Sequence, residues 1–395
     1  MQNNPQITLP ATERVMRTLK DRIKAGQIAP AERLPSVRSL AEQLGVSRHI
    51  AWVAVKELEK QGLVGRNGRS FVVCEKSREH RFSTITKTVV VLSFDLDTPL
   101  ETLHPGNIWA INFGIYRSLA QAKYNCLRID PNFMTADDFI RLIDERPQGV
   151  VAFRDTLQHY TSLNVLSELV AAKIPTVVYG YDPELVMYDS VKSDQEDGSY
   201  QLTNWLINEG CRKILRYWSF RPHLNPSPHW LIDRDTGYER AMQDAGLEVL
   251  PPWRCHDLPF HADTPAEFKM KSDYIAGQLA QAMVQFGRID AIVTSSDIQT
   301  FPVAEAVRLL HKKPNKDIRI VGYDNYWQHT TEMKFANEPP LIATIDKLNQ
   351  QIGLEMADLL IKRMNESINN GPLHRAVKPQ LVQIDTNANI NIHFR

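Results

Sequence analysis

The stretch that decides the fold is AERLPSVRSLAEQLGVSRHIAWVAVKELEKQGLVGRNGRSFVV, residues 31–73. Its Pro35-Ser36 pair is a helix start, and a short helix runs from there to Leu44 and Gly45. A three-residue turn follows, Gly45 to Ser47, and SRHIAWVAVKELEKQG then supplies a longer helix that Gly62 ends. Helical spacing assigns Ile50, Val53, Ala54 and Leu58 to its inner face. LVGRNGRSFVV reads as a strand, a turn at Asn67 and Gly68, and a second strand, which makes a two-stranded wing. Upstream, Val15, Met16, Leu19 and Ile23 recur at helical spacing between a candidate cap at Thr12 and a stop at Gly26. Two helices joined by a tight glycine turn, the second opening on polar residues, have the geometry that places a helix in the major groove of double-stranded DNA. The alternative is a plain helical hairpin, and the wing argues against it.

The charge is distributed to match. The chain of 395 residues is formally neutral, yet residues 1–80 hold 14 Lys and Arg against 8 Asp and Glu, so the head is +6 and the remainder −6. One module is thereby suited to phosphate and the other is not. Arg33, Arg38, Arg48, Arg66 and Arg69 are its candidate DNA-binding arginines, able to bind phosphates or read guanine bidentately. An exposed ion pair is the competing role for each.

The length exceeds one ordinary core. Hydrophobic residues make up 43% and charged residues 23%, so every part is expected to pack rather than stay disordered. We expect residues 1–74 to be the winged helix-turn-helix, 75–87 (polar and aperiodic) a linker, and 88–395 the body. In the body, VVVLSF (89–94), NCLRI (125–129), GVVAF (149–153) and TVVYG (176–180) read as buried strands, with helices at 109–122, 136–145 and 162–172. KILRYW (213–218), DAIVTS (290–295), IRIVGYD (318–324) and LIATI (341–345) form a second series. Apolar strands alternating with helices imply parallel sheets covered on both faces, so the body is α/β with two such units. The expected subdomains are 88–191 with 346–372 and 192–345 with 373–395.

In paired α/β units a ligand sits at the carboxyl ends of the strands, which makes Asp95, Arg154, Tyr181, Asp182, Asp194, Asp297 and Asp324 candidates. Helix capping competes for each acid. Cys74, Cys126, Cys211 and Cys255 are far apart without a CxxC pair, which points to buried thiols rather than disulfides or zinc. His223, His229, His256 and His261 near Cys255 lack compact ligand spacing, so no metal and no cofactor is expected. No signal peptide and no run of about 18 apolar residues is present, and a cytoplasmic protein without membrane contact is expected.

The head resembles the GntR-type winged helix, through its Leu-Pro-Ser-x-Arg segment, its Gly-Val-Ser-Arg turn and the Gly-Leu-Val before the wing. The resemblance implies that Ser36 and Arg38 touch the DNA backbone or groove edge, that Ser47, Arg48 and His49 open the recognition helix, and that Gly68 lets the wing approach the minor groove. Ile50, Ala51 and Trp52 depart from the common Thr, Val and Arg, and the wing reads Gly68-Arg69-Ser70-Phe71 in place of Gly-x-Gly-Thr-Phe. Trp52 is expected either on DNA sugars and thymine methyls or against the wing.

Residues 87–390 resemble the LacI/GalR-type effector domain, akin to periplasmic sugar-binding proteins of type I, in SDQEDGSYQLTNWLINEGCRKIL, DRDTGYERAMQDAG, IDAIVTSSD, IRIVGYDN and ATIDKLNQQIG. Head and body together are similar to the arabinose-repressor type of sugar regulator. That resemblance implies a dimer and a sugar-like effector, with Arg234 gripping hydroxyls and Ser296, Asp297 and Asp324 beside it. Trp109 and Tyr181 are suited to stack on a sugar face. Ser296 stands where Asn is usual and Lys347 where Gln is, so Lys347 with Arg234 equally suits an anionic sugar acid or phosphate. Three functions follow as alternatives: an effector-controlled repressor or activator, an enzyme with a DNA-binding tag, and a DNA binder whose body only dimerises. GxSxG, Walker A, HExxH and post-strand GxGxxG motifs are missing, which disfavours the enzyme.

Overall fold

The computed structural model describes residues 11–24, 27–29, 32–60, 63–68, 70–73, 87–93, 108–153, 162–220, 228–256, 258, 262–365 and 371–385. Contacts divide the chain into two units, 1–86 and 87–395.

In the first unit, α1 (Ala11–Lys24), α2 (Val37–Leu44) and α3 (Arg48–Lys60) precede a hairpin of β1 (Val64–Asn67) and β2 (Ser70–Val73). Local chemistry sets the boundaries. Ser36 Oγ accepts from Ser39 N and starts α2, and Gly45, at φ +63°, ends it in the left-handed conformation that costs other residues a Cβ clash. Ser47 Oγ accepts from Ile50 N and starts α3. Thr12 is already helical, since α1 begins at Ala11.

The buried face of α3 is Ala51, Ala54, Val55 and Leu58, turned from the expected face; Ile50 and Val53 are half-buried. Alanine faces inward where α3 packs close to α1 and α2, around Val15, Leu19, Leu40 and Leu34. The wing gains a third backbone segment that the sequence did not announce. Arg33 bridges Val72, Leu34 N donates to Phe71 O at 2.8 Å, and Val73 N donates to Glu32 O at 3.0 Å.

The second unit holds two six-stranded sheets. The first comprises β3 (Thr88–Leu92), β4 (Asn125–Ile129), β5 (Gly149–Phe153), β6 (Thr176–Tyr179), β7 (Asp189–Ser193) and β13 (His374–Val377), all parallel, in the order β13-β7-β6-β5-β3-β4. Alternate residues of β3 serve opposite faces. Val89 and Val91 meet α4 (Ile108–Gln121) and α11 (Asn349–Asn365) at Ile111, Ile115, Ile352 and Met356, whereas Val90 and Leu92 meet α5 (Ala136–Asp144) and α6 (Ser162–Ala171) at Phe139 and Leu169. NCLRI is an exception to the expected burial. As an edge strand, β4 exposes Asn125, Cys126 and Leu127. Cys211 and Cys255 are buried and Cys126 is exposed, so the expectation of uniformly buried thiols is corrected; Cys74 lies outside the described residues.

The second sheet comprises β8 (Ile214–Phe220), β9 (Trp253–His256), β10 (Ala291–Thr294), β11 (Arg319–Val321), β12 (Ala343–Asp346) and β14 (Gln380–Gln383), in the order β14-β12-β11-β10-β8-β9, with only β14 antiparallel to its neighbour. One face carries α9 (Pro265–Phe286) and α10 (Asp297–Leu309), and the other α7 (Gln195–Asn208) and α8 (His229–Asp244). The chain passes between the sheets at 193–195, 346–349 and 377–380. The last crossing differs from the expected boundary at 373, because β13 pairs with β7 before the chain returns.

Candidate DNA interface and ligand cleft

In the head, Arg48 and His49 open α3 on its exposed side, with Trp52 one turn later and 46% exposed. His49 stacks beside Trp52 with ring centroids 6.4 Å apart, so the tryptophan faces outward rather than packing against the wing. Arg38 is exposed and reaches Glu42 at 3.1 Å. Arg66 lies 3.6 Å from Glu59 with its guanidinium over the Phe71 ring. Arg33 is exposed, while its backbone joins the wing. Gly68 sits at φ +63° in the wing turn. Ser36 and Ser47 are exposed, but their hydroxyls already cap helices; any phosphate contact they make is shared with that task. Arg69 lies outside the described residues, as do Asp95 and Arg154 in the body.

The body collects its charged groups at the carboxyl ends of the second sheet's strands. Arg234, on α8, is 3% exposed. Gly237 lets α8 approach α7, since a Cβ there would collide with the Glu196 carbonyl oxygen. The Arg234 guanidinium is sandwiched between Trp230 and Tyr323, 4.6 and 3.4 Å from the ring centroids. Nε donates to Gln195 Oε1 and Nη1 to Ser295 O, both at 2.7 Å, while Nη2 lies 3.7 Å from Asp324 Oδ1. Lys347 Nζ lies 2.8 Å from the same oxygen. Both faces of the guanidinium are covered and two edges are held, which leaves a fixed fork beside a carboxylate and an ammonium.

Asp324 is presented by backbone in an unusual conformation. It and Asn325 have φ of +95° and +54°, a region sparsely occupied by side-chain-bearing residues. Asp297 holds this turn from below. It is fully buried, with Oδ2 accepting from Tyr326 N at 2.7 Å and Trp327 N at 3.2 Å, and Oδ1 from Thr344 Oγ1 at 2.7 Å. Burial pushes its carboxyl up to about 8 despite those donors, with the charge of Asp324 adding to the shift. Asp297 therefore supports the cleft instead of lining it. Ser296 precedes α10 without capping it.

Other candidates prove to be caps. Asp194 Oδ1 accepts from Asp197 N at the start of α7, and Asp182 Oδ1 from Glu184 N at the start of a short 3-10 turn (Pro183–Met187). Tyr181 joins the Arg234 group through Gln195, whose Nε2 donates to its hydroxyl at 2.7 Å. Trp109 stacks on Phe113 with centroids 5.4 Å apart and lines a cavity of about 410 Å³ with Asp346, Leu348 and Asn349. The rings that flank Arg234 are Trp230 and Tyr323, which sequence reasoning passed over along with Gln195 and Thr344. Among the described residues no cluster of His, Cys, Asp and Glu is arranged to hold a metal ion, and no helix is long and apolar enough to cross a membrane.

Comparison with known proteins agrees with both halves. Residues 11–73 match the family described as bacterial regulatory proteins, gntR family, and residues 203–386 match the periplasmic binding protein-like domain. The "Arabinose metabolism transcriptional repressor" of Geobacillus stearothermophilus is 25% identical over 372 residues, covering 91% of this chain and 92% of the relative. The "HTH-type transcriptional repressor PurR" of Histophilus somni (strain 2336) is 24% identical over 373 residues, covering 93% and 98%. Among solved structures, a "transcriptional regulator CelR-cellobiose complex" superposes with a TM-score of 0.55 at 18% identity, covering 88% of this chain and 98% of that one. A LacI family regulator from Enterococcus faecium with bound ribose does so at 0.55 and 16%, covering 77% and 100%.

Proposed function

We propose that this chain, a DNA-binding transcriptional regulator that joins a gntR-type helix-turn-helix head to a periplasmic-binding-protein-like body, is a repressor released from its operator by a small carbohydrate. The observation that carries the effector reading is Arg234, buried and sandwiched, with its remaining N–H groups beside Asp324 and Lys347. A fork of fixed donors next to a carboxylate acceptor matches vicinal hydroxyls. Arg48, His49 and Trp52 meet the major groove in this reading, with Arg38 and Arg66 on the backbone. The protein acts by binding rather than turnover, in the cytoplasm. It works as a homodimer, so that effector binding resets the separation of two heads on paired half-sites.

The test is a thermal-shift screen of the full chain against neutral sugars, with arabinose, ribose and cellobiose included because one relative is named for arabinose metabolism and two structural neighbours are complexes with ribose and cellobiose. At least one sugar is expected to raise the melting temperature and to weaken binding to DNA fragments selected by the protein. Arg234→Ala is expected to abolish both responses and leave DNA affinity unchanged. No shift across the panel would sink the sugar reading. Asp324, shared by two cations, favours a second reading in which the effector is a sugar acid or phosphate, and adding D-gluconate, D-galacturonate and glucose 6-phosphate to the screen separates the two.

A further inference from the structure

Gln195 occupies a position that no ligand-contact argument needs. It is the first residue of α7, directly after the chain leaves β7 of the first sheet for the second lobe, and it is 1% exposed. Its amide is used at both ends. Oε1 accepts from Arg234 Nε and Nε2 donates to the Tyr181 hydroxyl, each at 2.7 Å. Tyr181 follows β6 of the first sheet, and its hydroxyl is also bonded to that of Tyr179 at 3.1 Å. The Gln195 backbone oxygen accepts from Tyr323, whose ring flanks Arg234. A hydrogen-bonded chain, Tyr179, Tyr181, Gln195, Arg234, thus runs from one lobe to the other through a buried residue at a crossing.

Resting on the effector reading above, we propose that Gln195 is a positioning residue that ties the setting of the first lobe to the arginine that anchors the effector. Glutamine suits the task because one amide presents an acceptor to a guanidinium and a donor to a phenol at the same time. Gln195 and Arg234 are buried and Tyr181 is half-buried, so the bond to the arginine is the one shielded from solvent when the lobes move. Trp230, Tyr323 and Ser295 O hold Arg234 from the second lobe, and the Gln195–Tyr181 bond adds a tether to the first, so a change of lobe angle pulls on the fork that the effector meets through Nε. The two other crossings carry the sheet-to-sheet connection, but the contact at 193–195 reaches Arg234 itself.

The experiment uses the full-length protein without effector or DNA. Nitroxide labels at Val170 on α6 and Val284 on α9, both exposed, are placed on a background with the native cysteines replaced, and the distance between lobes is read by pulsed electron paramagnetic resonance. Gln195→Met keeps the volume and removes both hydrogen bonds, and is expected to shift or broaden the distribution. Tyr181→Phe is expected to move it in the same direction. Gln195→Glu is expected to restore the parent distribution, since a carboxylate accepts from Arg234 and from a Tyr181 hydroxyl that has turned to donate. A parent-like distribution in Gln195→Met with an unchanged one in Tyr181→Phe would overturn the proposal, as would an equal displacement by Gln195→Glu. If Gln195→Met fails to fold, Tyr181→Phe decides alone. Because no effector is present, failure of the sugar reading leaves these distributions untouched, and the two proposals can fail separately.

Discussion

Arg48 and Arg234 are the same residue type put to opposite uses. Arg48 stands exposed at the start of α3. Arg234 is buried, stacked on two rings and held at two edges. The head offers groups that must find phosphates and bases on an incoming duplex, so its side chains keep their freedom and only its caps and core are fixed. In the proposed reading the body must tell one small molecule from another, which groups locked before the ligand arrives would serve. What stabilises the two regions therefore differs, and each difference can be attacked.

The steepest effect is expected in the body. Asp297 has a carboxyl raised well above its unfolded-chain value, so between about 4 and 8 the folded state binds a proton that the unfolded chain has released. Its contribution is present below that window and is lost as pH rises through it. Asp297→Asn removes the titration while keeping acceptors for Tyr326 N and Trp327 N. Urea midpoints measured from pH 5 to 8 should fall with pH in the parent and run flatter in the variant. A parent-like slope in Asp297→Asn would place the pH dependence elsewhere.

The head should break at its core instead. Leu40 is fully buried among Val15, Leu19, Ala54 and Leu58, and Leu40→Ala removes about 2–5 kcal/mol there. The expected result is loss of DNA binding with the sugar-induced stabilisation of the body retained, since the two units have separate cores. Simultaneous loss of both would mean that the units fold as one.

These particulars explain what could be read in advance. The helix-turn-helix was legible because Ser36, Gly45 and Ser47 act on backbone within four residues of themselves. The α/β body was legible because strands buried on both faces, such as GVVAF, must be free of polar side chains. The inner face of α3 was misread because Ile50 and Val53 outrank Ala51 in hydrophobicity, while close packing rewards the smaller side chain. The cleft was legible only in part. Arg234, Asp324 and Lys347 were expected together and meet, but Asp182 and Asp194 cap helices, and nothing local distinguishes those roles. Gln195 was invisible because its partners are 14 and 39 positions away.

A smaller effect is expected from the exposed arginine. Arg48→Ala should cost DNA binding about 1–3 kcal/mol if it reads a base edge, with no change in melting temperature. The readout is fluorescence anisotropy with operator and scrambled duplexes at several salt concentrations. Loss on the operator alone assigns base reading. Equal loss on both, with the salt slope reduced by about 1, assigns a phosphate contact instead.

The smallest effect tests whether the head's surface pairs are placeholders. Arg38 and Glu42 lie 3.1 Å apart with side chains 69% and 67% exposed, a pair that contributes about 0–1 kcal/mol in water. If Arg38 serves the DNA backbone, binding must exchange a carboxylate for a phosphate, and Glu42 competes with the duplex for it. Glu42→Gln removes the competitor together with a negative charge near the interface. DNA affinity should rise modestly at low salt, and the gain should shrink as salt screens the charge. Thermal stability should stay within error of the parent, because an exposed pair of this kind is not what holds α2 in place; Leu40, Ala41 and the Ser36 cap are. A drop in affinity would instead mean that Glu42 orients Arg38 for its contact, and the pair would then resemble the locked groups of the body.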